Sequence, residues 1–68
     1  MENEKKLKIE ELANELCRLN IAVKMAKTDD EKNLAHENFM KHRNAMKPIV
    51  GDDDEAIAII KSIMEKCD

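Results

Sequence analysis

The chain has 68 residues, which limits it to one domain with a thin core, because so short a chain buries only a modest share of its surface. Charged side chains make up 40% of it and aromatic ones 1%, with a single glycine and a single proline; that composition excludes a glycine-rich phosphate loop and favours helix over strand throughout. No apolar run approaches the roughly 18 residues of a membrane span, and a formal net charge of −3 argues against a protein built mainly to coat nucleic acid.

The segment from Met1 to Lys6 is too acidic for a transit peptide and lacks the apolar stretch and cleavage site of a secretory leader. Cys17 and Cys67 are the only cysteines, far from the density of a disulfide scaffold. A cytoplasmic protein with reduced thiols is therefore expected.

Three helices are predicted, because the only helix breakers, Pro48 and Gly51, fall in one short stretch. Two acidic capping boxes, Thr28-Asp29-Asp30-Glu31 and Asp52-Asp53-Asp54-Glu55, mark helix starts, each with an N-cap side chain three residues before a glutamate. The helices run over about 3–27, 29–47 and 53–66, within about 2–4 residues at each end.

The first helix carries a heptad-like seam, Ile9, Leu12, Leu16, Leu19, Val23 and Ala26, at spacings of three and four. A second apolar line, Ala13, Cys17, Ile21 and Met25, climbs beside it, so a single neighbour cannot cover both. Glu4, Lys8, Glu11, Glu15 and Arg18 fill the wet face. The second helix repeats the seam as Ala35, Phe39, His42, Met46 and Ile49, flanked by Leu34, Asn38 and Ala45. Asn38 and His42, four apart, are read as a polar pair that meets the first helix and fixes its register. The third helix is the most apolar for its length, with Ala56, Ile57, Ile59, Ile60, Ile63, Met64 and Cys67 on about half its circumference and Ala58, Lys61, Ser62 and Glu65 outside.

These elements predict an all-α fold, an antiparallel helical hairpin closed by a shorter third helix into a three-helix bundle. A helix of about 24 residues spans roughly 36 Å and one of about 14 residues roughly 21 Å, so the third cannot cover the first. Apolar positions near Ile9 and Leu12, or along Cys17 and Ile21, are expected to stay partly open and to join two copies. The expected self-association set is Ile9, Leu12, Leu16, Leu19, Cys17 and Ile21.

Charge is uneven. Residues 32–50 hold four basic side chains and one acidic, a local +3 on a chain of net −3. Lys41, Arg43 and Lys47, with His36 and Met40 among them, are read as an outer face of the second helix and as the candidate surface for a protein partner. Met40 is the leading contact there, since exposed methionine suits surfaces that accept helices. His36 and His42 are six apart, no H-E-x-x-H or C-x-x-C spacing occurs, and Asp52 to Glu55 lacks the alternation and internal glycine of a calcium loop. Neither a metal, a cofactor nor an enzyme activity is expected. The function predicted is that of a small adaptor or inhibitor, self-associating through the first helix. The alternatives are a nucleic-acid-associated regulator using the basic face, and a structural subunit of a larger assembly.

Overall fold

A computed structural model describes residues 3–67; Met1 and Glu2, part of the segment read for a leader, lie outside the described residues. It contains the helices α1 (Asn3–Met25), α2 (Asp29–Val50) and α3 (Asp54–Glu65). Among the described residues no helix is long and apolar enough to cross a membrane.

The turn between α1 and α2 is set by side chains. Thr28 is extended, at φ −120° and ψ 160°, and its Oγ1 accepts from the Glu31 N–H at 3.1 Å. Glu31 reaches back in turn, its Oε2 accepting from the Lys27 N–H at 3.2 Å. The capping box therefore closes with its return bond one residue ahead of the cap. Asp29, Asp30 and Glu31 load the first turn with carboxylates, the sign that a helix N-terminus favours.

At its far end α2 runs to Val50, a little beyond Lys47 and within the expected margin, with Pro48 inside its last turn. The proline ring removes one backbone donor, and this near the end the loss does not stop the helix. Gly51 then turns the chain at φ +57°, a left-handed conformation that glycine adopts without a side-chain clash, and its N–H bonds the Lys47 carbonyl at 2.8 Å. The cap of α3 is Asp53 and not Asp52. Asp53 Oδ1 accepts from both the Glu55 and Ala56 N–H groups, at 3.0 and 3.3 Å, while its Oδ2 takes the Lys5 ammonium at 3.1 Å. Asp52 lies in the exposed turn.

That ion pair fixes the topology. Asp53 caps α3 beside Lys5, and Cys67, two residues past the end of α3, is bonded to Cys17, so α3 runs along α1 in the same direction, while α2 runs against it. The cysteines expected to be reduced form a disulfide with Cα atoms 5.8 Å apart. Spacing along the sequence did not reveal this pairing, because it follows from the parallel course of α3, which returns residue 67 to residue 17.

The half of α1 from Lys5 to Cys17 therefore has two neighbours, and the rest has only α2. Ile9, Leu16, Met46, Val50 and Ala56 form the buried cluster, with Leu12, Phe39, Ile59, Ile60 and Met64 packed against it. Ile9, expected near an open end, is fully buried, because α3 starts at the N-terminal end of α1 and covers it. The uncovered stretch lies at the other end, where Leu19, Ile21, Val23 and Ala26 are half-buried and Met25 is 73% exposed. The molecule measures 41 × 22 × 16 Å, and its long axis follows the α1–α2 hairpin.

His42 meets α1 as expected, its Nε2–H donating to the Leu12 carbonyl at 2.9 Å; a carbonyl only accepts, which fixes the tautomer. Asn38 does not share this role. It is exposed, because His42 reaches a backbone oxygen directly and needs no side-chain partner.

Two predictions follow from the ties on α3. In a chain-entropy account, a crosslink spanning 50 residues stabilises by about 4 kcal/mol. The Cys17→Ser/Cys67→Ser variant should lose about that much in urea unfolding, and an unchanged midpoint would show that the crosslink holds nothing. The Lys5 ammonium, with the backbone N–H groups of Ala56 and Glu55, holds the Asp53 carboxyl below its ordinary 3.8. A carboxyl with a lowered folded value adds stability above the unfolded value and loses it as pH falls through the folded one. Native stability should thus decline more steeply below about pH 4 than that of Asp53→Asn, which keeps a capping side chain but carries no charge.

Candidate functional site: a basic-rimmed groove between α2 and α3

Because α2 and α3 each pack on α1 but barely touch one another, a groove opens between them. Its cavity is about 440 Å³. Leu16, Met46 and Val50 give an apolar floor, Ile57 and Ile60 of α3 form one wall, and Arg43 and Lys47 of α2 form the other. The floor is firm, with Leu16 5% and Met46 4% exposed, and the wall is open, with Ile57 37% exposed.

Helical spacing explains the wall. Residues 36, 40, 43 and 47 are separated by four, three and four, so His36, Met40, Arg43 and Lys47 form one stripe along α2. That stripe borders the buried line of Met46 and Val50. Met40, expected on the wet outer face, is half-buried in consequence, and Phe39 stacks on His36 with ring centroids 6.5 Å apart. Lys41 lies on another side of the helix, paired with Glu37 at 3.5 Å. The basic residues expected to form one face are thus divided. Arg43 and Lys47 line the groove, His36 and Met40 continue their stripe, and Lys41 points elsewhere.

The groove's charge is one-sided. Among the described residues its lining contains two cations and no carboxylate. Outside the lining, Lys61 follows Ile57 by one helical turn and Asp54 precedes it by three residues, so that flank of α3 carries one charge of each sign. Among the described residues neither Arg43 nor Lys47 has an ion-pair partner, whereas Lys5, Arg18 and Lys41 are paired with Asp53, Glu15 and Glu37. A second depression of about 520 Å³ on the opposite flank of α3 differs in character. Glu10, Asn14 and Ser62 rim it, and its large apolar side chains, Ile59 and Ile63, come from α3 alone.

Of the residues expected to join two copies, Ile9 and Leu16 belong to the core and Cys17 is bonded to Cys67. Leu12, Leu19 and Ile21 are half-buried. Sequence reasoning missed Ile57, Ile60 and Val50 as site residues; the signal available was the excess apolar arc of the third helix, wider than one neighbour needs. Among the described residues no group of His, Cys, Asp and Glu is placed to hold a metal. The fold and this site define an open three-helix bundle with a cationic groove. Comparison with known proteins finds no matching family model, no similar curated protein and no similar solved structure.

Floor and wall should respond differently to truncation. Met46→Ala removes a buried side chain and should cost about 2–5 kcal/mol, whereas Ile57→Ala, half in water already, should cost less than about 1 kcal/mol. Urea unfolding followed by circular dichroism measures both, and equal losses would mean that the groove is closed in solution.

Proposed function

We propose that the protein is a small non-enzymatic regulator, an adaptor or inhibitor that binds another protein in the groove between α2 and α3. The observation that carries this reading is the firm apolar floor beside Arg43 and Lys47, which have no ion-pair partner among the described residues. Small domains seldom leave such a surface open without use, since contiguous apolar patches favour association, and interface centres combine apolar anchors with arginine. Among the described residues the groove offers no nucleophile paired with a base, the pair that nucleophilic catalysis by side chains uses.

Self-association belongs to the other end of the molecule. Beyond Cys17 the hairpin of α1 and α2 has no third helix among the described residues, and Leu19, Ile21, Val23 and Ala35 are half-buried there. A second copy laid against this end would complete their burial in a closed dimer. The division of the cations, with Lys41 away from Arg43 and Lys47, weighs against the nucleic-acid alternative, which needs a continuous basic surface. The disulfide also shifts the expected location, because such bonds persist in oxidising compartments; we place the working environment outside a reducing cytosol.

Site-specific photo-crosslinking tests both surfaces. Ile57→p-benzoylphenylalanine should trap a different protein, Ile21→p-benzoylphenylalanine a second 7.8 kDa copy, and the exposed Asn44→p-benzoylphenylalanine neither. Equal adducts from all three positions, or none from position 57, would overturn the groove reading.

A further inference from the structure

We infer that the occupant of the α2–α3 groove is an acidic amphipathic helix, a proposal that rests on the protein-binding reading above and names the chemistry of the partner. The shape comes first. Two helices flank α1 and hardly meet, leaving a trough parallel to their axes. A fourth helix laid in it would touch α1, α2 and α3 together, as in a four-helix bundle. From Arg43 through Lys47 to Gly51 the α2 side of the lining extends about 12 Å at 1.5 Å per residue, about two turns of a docked helix.

Charge then fixes the partner's composition. The chain as a whole is acidic, at −3, yet among the described residues the groove is lined by Arg43 and Lys47 with no carboxylate. Every cation in an ion pair quoted above, Lys5, Arg18 and Lys41, lies outside this lining. A helix seated on Leu16, Met46 and Val50 therefore brings its own carboxylates beside the apolar seam, where Arg43 can take one in a two-point contact. A basic or neutral helix of the same apolar pattern gains the burial without those contacts, and a basic one meets like charge.

The test is a displayed library of about 15-residue peptides, long enough to hold a helix that overruns the groove at both ends, with leucine at the seam positions and Glu, Gln or Lys at each flanking position. It is panned against the oxidised protein near physiological salt, about 0.15 M, where distant charges are screened. Glutamate should be enriched over lysine at the flanks on one side of the seam. The selected peptide should bind about tenfold more tightly than its Glu→Lys counterpart, as one or two rim charge pairs imply. Arg43→Glu/Lys47→Glu should reverse that preference, and Ile57→Glu should remove binding of both peptides with helicity unchanged. Failure to enrich any peptide, indifference to flank charge, or a preference that survives the charge reversal would each overturn the inference. The underlying reading fails separately: a photo-adduct at position 57 whose contacted segment is not acidic sinks the acidic helix alone, whereas no adduct there sinks the groove itself.

Discussion

One helix has to satisfy two neighbours, and the arrangement of this protein depends on how it does so. The seam of Ile9, Leu12 and Leu16 and the flanking line of Ala13 and Cys17 point in directions too far apart for one partner. α2 takes the first from the antiparallel side, with Met46 and Val50 in the common core and His42 on the Leu12 carbonyl. α3 takes the second, held at its start by Lys5 and Asp53 and at its end by Cys17 and Cys67. A twelve-residue helix is marginal on its own in water, so those end contacts decide where it lies. With α3 held against α1 at both ends and not against α2, the space between α2 and α3 stays open. The groove is thus a by-product of how the core is divided.

Much of this was legible in the residues. The Thr28 box placed the turn between α1 and α2, the two apolar lines of α1 announced two neighbours, and Gly51 marked the second connection, while Pro48 lies inside α2. What could not be read was direction. A parallel or a crossing third helix satisfies the same apolar arc, and only the three-dimensional course of α3 sets Ile9 inside and brings Cys67 to Cys17. The candidate site was legible in part, for the same reason. Arg43 and Lys47 stood out by charge, but their separation from Lys41 depends on where the buried side of α2 falls. Phe39, Met46 and Val50 rotate that side toward Arg43, and so Met40 is drawn in while Asn38 turns out to water.

The contrast between net charge and local charge has a physical use. A chain that is acidic overall resists indiscriminate association with nucleic acid and with other acidic chains at long range. At short range, the field inside a groove is set by its nearest charges, because salt screens separations beyond about 8 Å. An acidic protein with a cationic, apolar trough can therefore be selective in a way that a uniformly basic one cannot: the whole surface disfavours a partner that only the trough attracts.

The link between residues 17 and 67 also changes what the chain is as a covalent object. Together with the backbone it makes a closed ring that contains the last turns of α1, all of α2 and all of α3. A single peptide-bond cleavage anywhere inside that ring, including the exposed turns at Lys27–Thr28 and Gly51–Asp52, leaves both pieces bonded to each other. Cleavage of α2 from α1 would still let both return to the same core, so the protein is built to survive a nick that would separate an unbridged hairpin for good.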